Sequence, residues 1–314
     1  MSVLAASTYG KDNVKFLKVK KDPLNPKIQE VMEATVCVLL EGNFDVSFTK
    51  ADNSPIIPTD TVKNTILFEA KKTEIFPIER FAAHLGQHFI RKYAHVSAVN
   101  VSIIQHRWSK YNVNGQLHDH SFIKDGDEKR ICKLRNERNG NYFIESGLKD
   151  LTVLKSTGSM FYGYHQCDYT TLEPTTDRIL STDIDATWKW DTKKLGSISN
   201  IANVASTNII NTGTNGERNN LFDNAFNTAR KVTLDIFALE NSESVQASMY
   251  NMASKILELC KEIKTVSYAL PNKHYFLLDF KWKGESNDNE IFYPSPHPNG
   301  LIKCTVARDN RAKL

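Results

Sequence analysis

The chain has 314 residues, 40% of them apolar and 24% charged, the profile of a globular protein long enough for two ordinary domains and a sizeable core. Forty Lys and Arg stand against 36 Asp and Glu, for a net charge of +4. The basic residues are interleaved with acids, which argues against a nucleic-acid footprint, and no stretch approaches 18 uninterrupted apolar residues, which excludes a membrane-spanning helix.

Residues 13–20 alternate, with Val14, Leu17 and Val19 set among lysines, and predict a half-buried strand. A second strand is predicted over 29–40, through Val31, Ala34, Val36 and Val38. Thr59-Asp60 reads as an N-cap pair opening a helix over 61–71. From 78 to 94 the period changes: Ile78, Phe81, Leu85 and Phe89 fall three or four apart, on one helical face. Residues 96–108 return to strand character, and Asn114-Gly115 is a hairpin-turn signal.

In the second half, 224–239 and 245–260 read as helices, the latter with Val245, Met249, Met252, Ile256 and Leu259 on one face. Strands are predicted at 265–270 and 275–282, with Pro271-Asn272-Lys273-His274 as a loop between them. Helix, strand and an aromatic–basic end (Arg107-Trp108, then Lys281-Trp282) recur in the same order in both halves. The prediction is an α+β protein of two tandem repeats, 1–145 and 146–314, each an antiparallel sheet with helices on one face. Such sheets leave edge strands that a neighbouring repeat or subunit would close. Residues 196–220 hold seven Asn, three Ser, three Thr and three Gly and read as a flexible surface insertion.

The five cysteines, Cys37, Cys132, Cys167, Cys260 and Cys304, are odd in number, far apart and free of any C-x-x-C spacing. They read as reduced thiols in an intracellular compartment. The N-terminal residues lack the charged and apolar regions of a secretory signal. Ala312-Lys313-Leu314 is a small–basic–Leu variant of the peroxisomal address, so a peroxisomal location and an import receptor as partner are expected.

Candidate chemistry divides into weak and informative signals. His118-Asp119-His120 has the two-apart spacing of a strand metal pair, but it follows a hairpin turn with no further ligand nearby in sequence, and solvated polar residues are the plainer reading. Asp183 and Asp185 share a strand face, as any strand with one polar side allows. Phosphate-loop, dinucleotide and nucleophile-elbow motifs are absent from the sequence. Arg178 stands among residues that predict partial burial, so its charge needs an anion: either a structural pair with Asp177 or another acid, or a ligand. Gln246 stands at a helix start, where it either caps the helix or faces a ligand together with free backbone N–H groups. Asn272 and His274 fall in the predicted loop.

These signals coincide with a family resemblance carried by runs along the whole chain. They are YGKDNV at 9–14, TDTVKN at 59–64, LTVLKSTGSMFYG at 151–163, TTDRILSTDIDATW at 175–188, SVQASMY at 244–250, LPNKHYF at 270–276 and PNGLIKCTV at 298–306. The chain resembles the urate oxidases (uricases), with a yeast-like character. The resemblance implies the tunnelling fold, in which tandem repeats join across subunits into a β-barrel and a homotetramer encloses a tunnel. It implies oxidation of urate by O2 to 5-hydroxyisourate and hydrogen peroxide, with no metal and no organic cofactor. Carried over by residue, Arg178 and Gln246 would hold the purine edge, Phe161 would stack on the ring, and Leu172 and the backbone N–H of Val245 would shape the pocket. Thr59 and Asp60 would come from the neighbouring subunit. Lys11, Thr59 and His274 would form the proton relay, and Thr59 and Asn272 would hold O2 or water.

The roles fit the side chains. A planar guanidinium pairs with an anion bidentately, and an amide both donates to and accepts from a purine edge. A threonine hydroxyl is a weak base alone, so Lys11 acting through Thr59 would supply basicity, provided that Lys11 gives up its proton for part of the cycle. Two departures stand out: the insertion at 196–220 is longer than the family leads one to expect, and Ala312 stands where Ser is commoner. A non-catalytic purine-binding or structural protein of the same fold is the alternative from another class. A pterin-processing relative is the enzymatic rival, disfavoured by Gln246 standing in place of an anchoring acid.

Overall fold

The computed structural model describes residues 2–204 and 220–309. The elements run β1 (Tyr9–Lys21), β2 (Gln29–Gly42), α1 (Asp45–Thr49), α2 (Thr59–Lys72), α3 (Ile78–Lys92), β3 (Val96–His106), β4 (Ser109–Val113), β5 (Gln116–Ile123), β6 (Lys129–Glu137), β7 (Tyr142–Lys155), β8 (Leu180–Trp190), α4 (Thr192–Leu195), α5 (Ile198–Ala202), α6 (Leu221–Leu239), α7 (Val245–Leu259), β9 (Ile263–Leu277) and β10 (Phe292–Ala307). Two compact units result, both discontinuous in sequence: Met1–Leu148 with Trp188–Asn227 and Glu262–Lys264, and Lys149–Thr187 with Thr228–Lys261 and Thr265–Leu314.

In the first unit the strand order is β1-β2-β3-β6-β7. The pairs β1–β2, β2–β3 and β3–β6 are antiparallel. Met32, Ala34, Val36, Val38 and Leu40 of β2 are buried, every second residue, as one core-facing side of a pleated strand requires. Helix α3 covers β3 and β6 with Ile78, Phe81, Leu85 and Phe89 buried, the face that the sequence period predicts. Gly86 allows its close approach, since a Cβ there would lie 3.1 Å from the Leu134 side chain and 3.2 Å from Cβ of Asn136. Helix α2 begins at Thr59 itself, behind Pro58, and no side chain caps it. The expected N-cap role of Thr59-Asp60 is thus corrected: Pro58 occupies the cap position with its φ preset, and neither side chain is taken up as a cap.

The second unit has the order β7-β8-β9-β10, with helix α7 packed against β10. Val245, Met249, Met252 and Ile256 are buried as expected, but Leu259 is 52% exposed, and Leu257 is buried instead near the helix end. The predicted loop at 271–274 is also corrected. Strand β9 runs unbroken through it, and the irregularity sits opposite, in β10, where pairing jumps from Ser295 to Gly300. Pro296 and Pro298 fall in that stretch of β10, and proline cannot donate to a ladder. Beyond β9, Lys281–Lys283 is a 3-10 turn and not the end of a strand.

The insertion expected to be flexible over 196–220 starts with structure. Helix α5 buries Ile198 and Ile201, and Gln87 of α3 donates to Oγ of Ser199 at 2.8 Å. Two isoleucines among the polar residues are enough to dock a single turn, which the averaged composition hides. Residues 205–219 and the tripeptide 312–314 lie outside the described residues.

Candidate active site

In the second unit, the turn at Thr157-Gly158 is the hub of the site. Gly158 has φ 74°, a left-handed value that glycine adopts without strain. From this turn the backbone is stitched to two other segments. Met160 N donates to Ser242 O at 2.8 Å, Ser242 N to Gly158 O at 3.0 Å, and Arg178 N to Ser159 O at 2.9 Å. Phe161 and Thr175 exchange both backbone bonds, at 2.8 and 3.0 Å. Phe161, Arg178 and the start of α7 are therefore held together by main-chain bonds.

Phe161 stacks on Tyr164 with ring centroids 4.8 Å apart. The hydroxyl of Tyr164 donates to the carbonyl of Leu172, which ties Leu172 to the same ring pair. The guanidinium carbon of Arg178 lies 5.1 Å from the centre of the Phe161 ring, within cation–π range. No carboxylate pairs with Arg178 among the described residues, its Nε is buried without a hydrogen-bond partner, and burial lowers its pKa from the ordinary arginine value. The structural pair with Asp177 is not formed: that carboxylate accepts from Thr157 Oγ1 at 2.9 Å and from Gly158 N at 3.0 Å. A half-buried cation without an acid is a site prepared for an anion.

At the start of α7, Ser244 is the cap, its hydroxyl accepting from Ala247 N at 3.1 Å. Gln246 is therefore not needed for capping, and its side chain is exposed. The N–H of Val245, the first helical residue, is one of the donors that a helix start leaves over. The approach to this helix is fixed from below by Lys155, whose Nζ donates to Glu240 O at 2.8 Å and Ser242 Oγ at 2.9 Å. Ser248 donates to the same Ser242 hydroxyl at 3.0 Å. Asn272 and His274 lie on β9, two residues apart and so on one side of the strand. Lys273, between them, pairs with Asp183 of β8 at 2.6 Å.

The first unit carries Lys11, Thr59 and Asp60. Lys11 is on β1 opposite Val38, just before a break in register at Asn13, whose φ is 56°. The hydroxyl of Tyr9, two residues before Lys11, accepts from Ile57 N at 2.8 Å and so pins the segment leading into α2 beside β1. Thr59 and Asp60 are exposed. The carboxyl of Asp60 is held below the usual aspartate value chiefly by Lys63, with Lys11 a further positive neighbour. Lys63 donates to it at 2.6 Å and Asn64 at 2.8 Å.

The other candidates have ordinary partners. His118 and His120 are on β5, after a turn in which Asn114 and Gly115 both have positive φ. His118 accepts from His120 N at 3.3 Å, and they join no three-ligand group among the described residues. Asp183 accepts from Thr152 at 2.5 Å and Asp185 from Asp150 N at 3.1 Å. A concavity of the first unit, lined by Arg107, Glu128, Arg130 and Asp223, holds none of the expected residues, and its charges are committed to one another. Sequence reasoning missed three residues that brace these segments, Tyr9, Lys155 and Ser242, and gave Asp177 the wrong partner. The one local sign was Thr157-Gly158 after a strand, a turn signal at which three segments converge.

Comparison with known proteins places the chain in a family. A family profile described as uricase matches residues 7–135 and 144–303. The chain is 66% identical over 313 residues to a uricase of Cyberlindnera jadinii, covering 100% of this chain and 99% of that protein. It is 48% identical to a uricase of Aspergillus flavus, with full coverage of both. The crystal structure of uricase from Arthrobacter globiformis superposes with a TM-score of 0.83 at 33% identity, covering 99% of this chain and 96% of that one. With its α+β tunnelling fold, the chain belongs to the uricase family.

Proposed function

We propose that this protein oxidises urate with O2 and water to 5-hydroxyisourate and hydrogen peroxide, with no metal or organic cofactor. We assign the site to a contact between subunits of a homotetramer. The observation that carries the reading is Arg178, a half-buried guanidinium with no acid partner among the described residues, lying on Phe161 in a segment that main-chain bonds tie to Ser242, just ahead of α7. That arrangement suits a planar anion, held by charge-assisted bonds on its edge and stacking on its face. Gln246 and the Val245 N–H add a donor–acceptor pair and a donor for a purine edge.

The chemistry has to make an electron-rich purine, because O2 reacts poorly with closed-shell molecules and no flavin supplies the first electron. Lys11 draws a proton through the Thr59 hydroxyl, His274 serves the same relay, and Asn272 with Thr59 holds O2 and then water over the ring. Two electrons pass from the purine to O2, two protons complete the peroxide, and water supplies the new hydroxyl. Lys11, Thr59 and Asp60 of one subunit would face Arg178 and Gln246 of the next. Edge strands support assembly: among the described residues β1 pairs only with β2 and β10 only with β9, with Leu17, Val19, Tyr293 and Leu301 exposed on them. Peroxisomal residence, by way of an import receptor that reads Ala312-Lys313-Leu314, completes the assignment and suits a peroxide-forming reaction.

Chelator-treated protein incubated with urate in air tests the reaction, by loss of the purine absorbance together with peroxide formation. Peroxide in step with absorbance loss is expected; urate bound but unchanged would make the chain a purine-binding protein of the same fold. Sedimentation velocity reads the tetramer, and an amino-terminally tagged fusion reads the compartment.

A further inference from the structure

We propose that Glu69, His84 and His88 form a binding site for a divalent transition cation of the zinc class, clamping α2 to α3. Glu69 lies on α2, ten residues beyond Thr59 or about 15 Å along the helix, so this is a location separate from the proton relay. His84 and His88 are four apart on α3, and residues at that spacing share one helical face. Their ring centroids are 6.3 Å apart. Nε2 of His84 is 2.6 Å from Oε2 of Glu69, and Nδ1 of His88 is 3.6 Å from Oε1 of the same carboxylate. One ligand atom from each of the three residues falls within 4.8 Å of the other two.

Four-coordinate zinc, with bonds of roughly 2.0–2.2 Å, sets its ligands roughly 3.3 Å apart. The three atoms thus need only side-chain adjustments of about an ångström. The donor set of two imidazoles and a carboxylate leaves one position for water and is too nitrogen-rich for magnesium or calcium.

A hydrogen-bonded ion pair accounts for His84 and Glu69 but not for His88. Its Nε2 is buried without a partner, and Nδ1 faces Glu69 beyond hydrogen-bonding distance. The side chains of Glu69, His84 and His88 are 13%, 30% and 21% exposed, closed enough to hold an ion and open enough to admit one. Neither HxxxH nor the distant glutamate was singled out by sequence; only the packing of α2 on α3 brings them together.

Titration of the chelator-treated, full-length protein with Co2+, followed by visible absorption, tests the site, with Zn2+ as competitor. Saturation at one equivalent per chain is expected, displaced by Zn2+ and accompanied by a higher thermal midpoint. His84→Asn and His88→Asn should each weaken binding at least about 100-fold, Glu69→Gln less, and His118→Asn not at all. Absence of a saturable cobalt spectrum, persistence of it in both His84→Asn and His88→Asn, or its loss in His118→Asn would overturn the proposal. Should either variant fail to fold by near-ultraviolet circular dichroism, Zn2+ protection of His84 and His88 from diethyl pyrocarbonate in the wild-type protein decides. Protection of both supports the site, and equal labelling with and without Zn2+ rejects it.

Discussion

Asp177 and Arg178 are neighbours in sequence that do not pair. The carboxylate of Asp177 closes the Thr157-Gly158 turn, while the guanidinium of Arg178 lies over Phe161 with its Nε unpartnered. The acid thus closes the turn, and the guanidinium is left without an acid partner among the described residues. Arg178→Lys keeps the charge but loses the planar fork. It should raise KM for urate about 10–100-fold, matching roughly 1.5–3 kcal/mol for charge-assisted bonds, with a smaller change in kcat. Steady-state kinetics would reveal a purely kcat effect, which would remove Arg178 from substrate binding.

Lys11→Met removes the amine while keeping an apolar stem of similar length. Turnover should fall about 10²–10⁴-fold, the usual contribution of a positioned base. The affinity of a non-reacting purine analogue should stay within a few-fold. A loss of affinity with unchanged turnover would place Lys11 in binding.

Arg130 is buried between Glu79, at 2.8 Å, and Asp223. Glu79 in turn accepts from Ser146 at 2.7 Å, and Ser146 from Trp190 Nε1 at 3.0 Å. Arg130→Met would leave two carboxylates buried without their cation and should cost about 3–5 kcal/mol of stability. Urea unfolding monitored by circular dichroism measures it, and a change under 1 kcal/mol would mean that water reaches the acids.

Glu41 is held below the ordinary glutamate value, first by its hydrogen bond from Arg135, against burial, with Asn100 assisting. A carboxyl whose folded pKa is depressed adds stability above its unfolded value, about 4.3, and loses it as pH falls through the folded value. The wild type should therefore lose part of its margin over Arg135→Gln as the pH drops from 5 to below 4. Thermal midpoints of both proteins across that range test it; a constant difference would show that the pair carries no pH-dependent stability.

Long periodic elements were legible because burial acts on them directly. The alternation through Val36 and Val38 and the stripe Ile78, Phe81, Leu85 and Phe89 each record which side meets the core. The proposed site residues were legible only as family motifs. Where a residue's role depends on its partner, sequence failed. Pro271-Asn272 carries the signal of a turn, yet the ladder continues because the irregularity is taken up in β10. Thr59 has the chemistry of a cap, but Pro58 makes that role unnecessary. Lys155 and Ser242 lie 87 residues apart, and nothing local in either announces their bond.

Because β9 passes straight through Asn272 and His274, the interval between them is set by two peptide units of extended chain, about 6.8 Å. A loop could drift or be lengthened by insertion without warning. A strand pinned by its neighbours on either side works instead as a gauge, so the two side chains, in the roles proposed for them, stay in register while the surrounding surface is free to diverge.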